Sequence, residues 1–247
     1  MKTDKYQRRF YRDWVKAKDL YLTHIMEKET DLEILTDRQL DKGFIEGKIR
    51  AYRWDIESYI DRDRRFLTAL KPLTVELNAP KIVKEMAAQA GKVNVGPMAT
   101  VAGTIAEFLC RDLLKQGYKD VIVENGGDLF LKSTKRRTVG IYSGRLKLWR
   151  GLGLVIKPKD TPLGICASSG TIGHSLSFGC ADSVVILSRH ASLADAVATA
   201  TCNRVKSKDD LQDAINFAKS ISGVSGIVII VKNNLISWGK VEFCRNA

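Results

Sequence analysis

No stretch of this chain approaches the roughly 18 uncharged apolar residues that a membrane-spanning helix requires. Its longest apolar stretches are short pieces such as GIVIIV at 226–231. That lack excludes a helical membrane protein, and no membrane partner is expected. The opening segment, MKTDKYQRRFYRDW, is charged and lacks the apolar centre of a signal peptide, so a cytoplasmic location is expected. Cysteine is sparse: Cys110, Cys166, Cys180, Cys202 and Cys244 form no CxxC pair and are odd in number. Such a set fits neither a disulfide framework nor a thiolate zinc site, and reduced thiols are expected. Repeats, low-complexity tracts and Pro/Ser-rich linkers are also missing. With 247 residues and 45% hydrophobic content, the chain can bury a full core, and one α+β domain over residues 1–247 is the expectation.

Acidic residues are absent from one segment, and that absence explains the charge. The net charge is +12, yet residues 132–159, KSTKRRTVGIYSGRLKLWRGLGLVIKPK, hold nine Lys or Arg and no Asp or Glu. The excess is therefore a local patch on an otherwise nearly balanced chain. A polyphosphate cofactor, an acidic partner or a nucleic acid can use such a patch, and so can plain solvent around a basic loop. Only Tyr142 and Trp149 interleave it, too few aromatics for a base-stacking platform, so nucleic acid is not the expected partner.

Hydrophobic periodicity gives the elements. Residues 10–36 read as a hairpin or short meander broken at EKETD, and residues 36–70 as a long helix interrupted near Asp61. LTVEL at 73–77 reads as a strand, and the helix PKIVKEMAAQA follows Asn78 and Pro80 and stops at Gly91. VNVG feeds a second helix through a Gly-Pro turn. Strands are expected in DVIV, DLFL, TVGI, LGLVI, LGICAS and SVVILS, then helices at SLADAVATA and 209–220, and a closing hairpin about Asn233 and Asn234.

The apolar helix SLADAVATA, 192–200, is interrupted by Asp195 and Thr199. At a spacing of four they share one helix face, so one small cation can touch both oxygens. Two local readings compete with this. Ser192 and Asp195 have the spacing of a capping box, and a mid-helix threonine can bond back to the carbonyl four residues earlier. Two glycine turns stand near in chemistry. In VNVGPMATVAG, free N–H groups at a helix start can face an anion. In VENGGDLF, Gly126 and Gly127 allow close approach of a ligand or simply make a tight turn.

Taken in order, GPMATVAG, VIVENGGDLF, TVGI, ASSG and SLADAVATA resemble the motifs of the ApbE-like flavin transferases, from about Val93 to Val205 with weaker agreement to Trp238. The first 70 residues, the hairpin and long helix, diverge from that pattern. The resemblance implies an ApbE-like fold, with mixed or antiparallel sheets packed with helices, that binds FAD with Mg²⁺. It implies Asp195, Thr199 and the carbonyl of Ala99 as metal ligands, and Gly96, Thr100, Asn125, Gly126, Gly127, Asp128, Ser169 and Gly170 as the cofactor site. Members transfer FMN from FAD to a Ser or Thr of an acceptor protein, expelling AMP; cleavage of the FAD pyrophosphate is a related outcome. Arg145 in the basic patch can face phosphates. This sequence departs from the pattern where Thr100 and Val101 replace a lysine and a glycine. The family's His-Ile-x-Asp-Pro element is missing, leaving His174 as the nearby histidine for a catalytic role. Those departures keep open a non-catalytic or repurposed metabolite-binding accessory, for instance in sulfur amino-acid assimilation.

Overall fold

The computed structural model describes residues 17–142, 147–170 and 179–245. A hairpin of β1 (Tyr21–Glu27) and β2 (Thr30–Thr36) leads into the long helix α1 (Lys42–Arg62) and the single turn α2 (Arg65–Thr68). Helices α3 (Lys81–Gly91) and α4 (Val101–Lys115) follow, joined through a 3-10 turn at Pro97–Thr100. Strands β3 (Val121–Asn125), β4 (Asp128–Lys132), β5 (Arg137–Gly140), β6 (Leu152–Ile156), β7 (Leu163–Ser168) and β8 (Ser183–Ser188) precede the helices α5 (Ala191–Arg204) and α6 (Leu211–Ser220). Strands β9 (Val224–Val231), β10 (Asn234–Gly239) and β11 (Phe243–Arg245) come last.

Eight strands form one sheet in the order β1-β2-β3-β4-β7-β8-β9-β10, and β11-β6-β5 form a second. Every neighbouring pair is antiparallel. The sequence explains why the large sheet is covered on both faces. In β3, β8 and β9, Val121, Val123, Val184, Ile186, Ile227 and Ile229 pack with α4, α5 and α6. The alternate residues Ile122, Val185, Leu187, Val228 and Ile230 pack with Val139, Leu154 and Ile156 of the small sheet. Successive side chains on a strand point to opposite faces, so a strand buried on both faces is an unbroken apolar run. A third cluster joins Tyr59, Phe66, Ile82, Val83 and Met86 where α1, α2 and α3 meet. Each fully buried Val, Ile or Phe contributes about 1.5–3 kcal/mol relative to exposure.

Two expectations need correction, the strand at LTVEL and the start of the long helix, while the break expected near Asp61 is found two residues on. LTVEL forms no strand: residues 72–76 are irregular. Leu73 and Val75 are half-buried against the third cluster, and the Glu76 N–H donates to the Tyr59 hydroxyl, so helices flank this segment and among the described residues no strand pairs with it. The long helix starts at Lys42, six residues later than expected, because Asp41 caps it by accepting from the Phe44 N–H at 3.1 Å. Its interruption falls at Asp63, whose carboxylate accepts from the Arg65 N–H at 3.1 Å and pairs with the Arg65 guanidinium at 2.8 Å. The five cysteines are free thiols, with Cys110, Cys166 and Cys202 buried. Among the described residues no helix is long and apolar enough to cross a membrane.

Candidate functional site

The chemistry gathers at one end of the large sheet, where antiparallel pairing brings separate stretches of sequence together. Asn125 and Asp128 are register partners across a two-residue connection, and Gly126 and Gly127 hold φ of 68° and 102°. A type I′ turn demands positive φ at both positions, which is why two glycines stand there. A Cβ built on either glycine meets nothing within 4 Å, so the turn borders open space. Strand β7 pairs with β4 and ends at Ser168, so Ser169 and Gly170 emerge at the same end as the glycine turn. The Gly170 N–H donates to the Ala181 carbonyl at 2.9 Å, which fixes this exit against the entry to β8.

Helix α5 lies over β7 and α4. Ala191, its first residue, sits on Gly164 and accepts from the Cys166 thiol at 3.3 Å. Almost every residue from Ala191 to Cys202 is at or below 2% exposed; Asp195 at 9% and Thr199 at 8% are the two that open outward. Their i, i+4 spacing therefore marks one polar stripe along the otherwise enclosed stretch Ala191–Cys202. The same helix packs on the Pro97–Thr100 turn, which carries Ala99.

The capping-box reading of Ser192 and Asp195 is overturned. The residue before the helix is His190, whose side chain does not cap it, and the N–H groups of Ala191 and Ser192 donate instead to the Glu107 carboxylate of α4, at 2.7 and 3.4 Å. The Ser192 hydroxyl donates to Glu85 of α3 at 2.8 Å. Asp195 turns away from its own backbone and accepts from the Gly103 N–H of α4 at 2.9 Å. This contact requires a glycine: a Cβ at residue 103 would stand 2.5 Å from the Ala191 carbonyl oxygen and 2.9 Å from the Asp195 Cβ. Among the described residues, the Thr199 hydroxyl makes no bond to the carbonyl of Asp195.

A second carboxylate stands beside the first. Asp128 is 6% exposed and accepts from the Ala167 N–H at 3.1 Å. Burial raises its pKa well above the carboxylate range, and the Asp195 charge adds to the effect. Burial likewise pushes Asp195 up to about 7, against the pull of the Gly103 N–H. The Cys166 thiol hydrogen-bonds Asp128 and is raised by burial and by both acids. Asn125 is tied to the start of α4 through its amide, which donates to the Ala102 carbonyl at 3.2 Å. Glu124 closes the glycine turn by accepting from the Gly127 N–H at 2.6 Å.

Asp195, Thr199, Asp128, Asn125 and the two turn glycines thus converge, together with the Ala99 turn and the Ser169–Gly170 exit. Two predicted residues face elsewhere. Thr100 is fully buried, and its hydroxyl donates to the Pro97 carbonyl at 2.8 Å. Gly96 is needed for its contact with α2, since a Cβ there would lie 1.7 Å from the Ala69 carbonyl oxygen. His174 and Arg145 lie outside the described residues. Sequence reasoning missed Gly103, Glu107 and Cys166, because two of them act through cross-helix contacts and the third is an ordinary apolar position in a strand. The basic segment also differs from a phosphate-facing patch along part of its length. Arg137 pairs with Asp19 at 2.6 Å and Asp120 at 3.3 Å, Lys135 with Asp19, and Arg136 and Lys157 with Glu242.

The gathered donors are all oxygens: a carboxylate pair, a hydroxyl and turn carbonyls. Neither Asp128 nor Asp195 forms an ion pair with a described Lys or Arg. Among the described residues no group of three or more His, Cys, Asp and Glu is placed to hold a metal. Mg²⁺ needs no such group, since it keeps waters and substrate phosphates and takes only one or two carboxylates. The residues present fit that ion.

Comparison with known proteins follows this geometry. The family model described as AbpE bacteria matches residues 12–236. This span takes in the hairpin and long helix upstream of the motifs. The UPF0280 protein of Methanospirillum hungatei is 40% identical over 218 residues, covering 88% of this chain and 87% of its own. That of Methanosarcina acetivorans is 37% identical over 219 residues, covering 88% and 86%. Among solved structures, the ApbE protein of Thermotoga maritima superposes with a TM-score of 0.62 at 12% identity, covering 90% of this chain and 96% of that one. The flavin transferase ApbE of Vibrio cholerae superposes with a TM-score of 0.59 at 13% identity, covering 89% and 97%. At such identity the superpositions establish a shared fold, and the expected α+β class is borne out.

Proposed function

Because this chain belongs to the AbpE bacteria family, we propose that it binds FAD with Mg²⁺ where α4 and α5 meet the glycine turn. On this reading it transfers FMN to a Ser or Thr of an acceptor protein with release of AMP, or cleaves the FAD pyrophosphate. The observation that carries it is the polar stripe of α5. Along the enclosed stretch Ala191–Cys202 of this helix, Asp195 and Thr199 are the two residues above 2% exposure, next to a second buried acid that has no described cationic partner. Two carboxylates brought together out of water are stable when protonated or when a cation sits with them. Asp195, Thr199 and the Ala99 carbonyl would hold Mg²⁺, which supplies charge neutralisation at the diphosphate. Asn125, Gly126, Gly127 and Asp128 would line the flavin side, with Ser169 and Gly170 on the adjoining strand exit. The open space over Gly126 and Gly127 admits a planar ring without a side chain in the way.

Positioning and charge dominate phosphoryl-type transfer, so a site built of backbone turns and fixed oxygens suits it. The hairpin β1-β2 belongs to the same sheet as β9 and β10, which supports treating residues 1–247 as one domain. A cytoplasmic setting is part of the proposal. A second reading, binding without transfer, is favoured by one observation: Thr100 occupies the position of the family's turn lysine and is buried on the Pro97 carbonyl. Titration of the purified protein with FAD, with and without Mg²⁺, tests the first claim, and assay of AMP then separates the two readings. Mg²⁺-dependent flavin binding with AMP release supports transfer or cleavage. Binding without AMP supports the second reading, and no flavin binding in either condition overturns both.

A further inference from the structure

The joint between α4 and α5 has two polar contacts that run in opposite directions. From α4, the Gly103 N–H donates to Asp195 of α5 at 2.9 Å. From α5, the N–H groups of Ala191 and Ser192 donate to Glu107 of α4 at 2.7 and 3.4 Å. Residues 103 and 107 are one turn apart on α4, as 191 and 195 are on α5, so the two contacts lie on matching faces. Glu107 is 3% exposed and both of its oxygens are engaged. Its Oε1 accepts from Arg111 Nη2 at 2.8 Å and Nε at 2.9 Å and meets His190 Nδ1 at 3.0 Å, while Oε2 takes the two helix N–H groups.

Helix α5 has an unusual need for such a fastening. Its buried surface is largely Ala191, Ala194, Ala196, Ala198 and Ala200, small side chains that leave few bulky knobs to set rotation or sliding against a neighbour. The first N–H groups of a helix have no partner within it, and an anion placed there is favoured by the helix dipole. Glu107 supplies that anion from a different helix. A fastening at one point would leave α5 able to pivot; two points, a turn apart, fix it.

We propose that Glu107 is a positioning residue, which holds the first turn of α5 on α4 so that Asp195 stays seated on the Gly103 N–H and is presented with Thr199 toward the site. The inference rests on the metal-binding reading of Asp195 and Thr199 for its consequence, and on the two-point contact for its geometry. Ser192 remains tied to Glu85 of α3, so the helix keeps one anchor when Glu107 is replaced.

The test uses the full chain with Glu107→Ala and the equal-volume Glu107→Gln. Amide hydrogen exchange is followed by NMR, and Mn²⁺ alone is titrated by the paramagnetic signal of the free ion. In Glu107→Ala the Gly103 amide is expected to exchange faster along with Ala191 and Ser192, and Mn²⁺ affinity to fall roughly tenfold to a hundredfold, as when an outer partner of a metal ligand is lost. Glu107→Gln, which keeps one accepting oxygen, is expected to fall between and serves alone if the alanine variant does not fold. A residue that merely caps the helix would expose only Ala191 and Ser192. Gly103 remaining as protected as in the wild type overturns the proposal, as does an unchanged Mn²⁺ affinity in a variant of a wild type that binds the ion. If the wild type takes up no Mn²⁺, the flavin reading loses its metal, while the exchange of Gly103 still decides the role of Glu107.

Discussion

The basic segment 132–159 and the α4–α5 crossing both concentrate charge, and they handle it in opposite ways. In the basic segment, nine cations look like an obvious ligand surface, yet Lys135, Arg136, Arg137 and Lys157 are answered by Asp19, Asp120 and Glu242 from distant parts of the chain. At and beside the crossing, Asp195 and Asp128 are drawn into the interior, where N–H groups and the Cys166 thiol meet them and no described Lys or Arg does. Charge that finds its partner inside the fold serves structure. On the proposed reading, acids buried without one mark where a cation binds.

The largest expected effect breaks the crossing. Asp195→Asn keeps the shape and the Gly103 contact but removes the negative charge. Mg²⁺-dependent FAD affinity, measured by fluorescence titration, is expected to fall by more than the roughly hundredfold that loss of an outer partner brings. The variant also has a signature without ligand. Burial moves the Asp195 acid from its ordinary 3.8 up to about 7, so the folded protein holds that proton more tightly than the unfolded chain. A raised carboxylate stabilises the fold at low pH and loses that contribution as pH climbs through this window. Urea denaturation of metal-free protein should therefore show the asparagine variant gaining stability over the wild type between 3.8 and about 7.

Next comes the basic segment. The Arg137 side chain is 6% exposed and bonds Asp19, Asp120 and Ser133. Arg137→Ala leaves buried acceptors unanswered and should lower stability by about 3 kcal/mol, with flavin affinity unchanged in the folded fraction. Gly103→Ala is expected to lower stability by about 2 kcal/mol through the collision with the Ala191 carbonyl, and also to weaken metal binding. That pairing of effects, absent from Arg137→Ala, sharpens the contrast. The smallest effect belongs to Glu242→Gln. Its pairs with Arg136 and Lys157 lie on the surface, where water and salt screen them, and neither thermal stability nor flavin binding should move.

Much of this was readable in the sequence where local chemistry decides the outcome. Gly126 and Gly127 announce a turn because both need positive φ, and the apolar runs of β8 and β9 announce strands. The four-residue spacing of Asp195 and Thr199 places them on one face whatever the helix packs against. What stayed hidden depends on neighbours remote in sequence. LTVEL has the residues of a strand but lies among helices, so no ladder forms. Ser192 and Asp195 have the spacing of a capping box, but Glu107 takes the helix N–H groups and Gly103 takes Asp195, so the local motif is displaced by tertiary contacts. Gly103 itself reads as a weak point inside a helix; only the nearness of α5 gives it a reason.

Crystals soaked with Mn²⁺ and FAD, measured for anomalous scattering at the manganese edge, test the central claim most directly. The expected result is one manganese peak within bonding distance of an Asp195 oxygen and the Thr199 hydroxyl, with the flavin diphosphate completing its shell. Manganese bound elsewhere, or FAD density away from the Gly126–Gly127 turn while Asp195 stays bonded to Gly103 alone, would contradict the account.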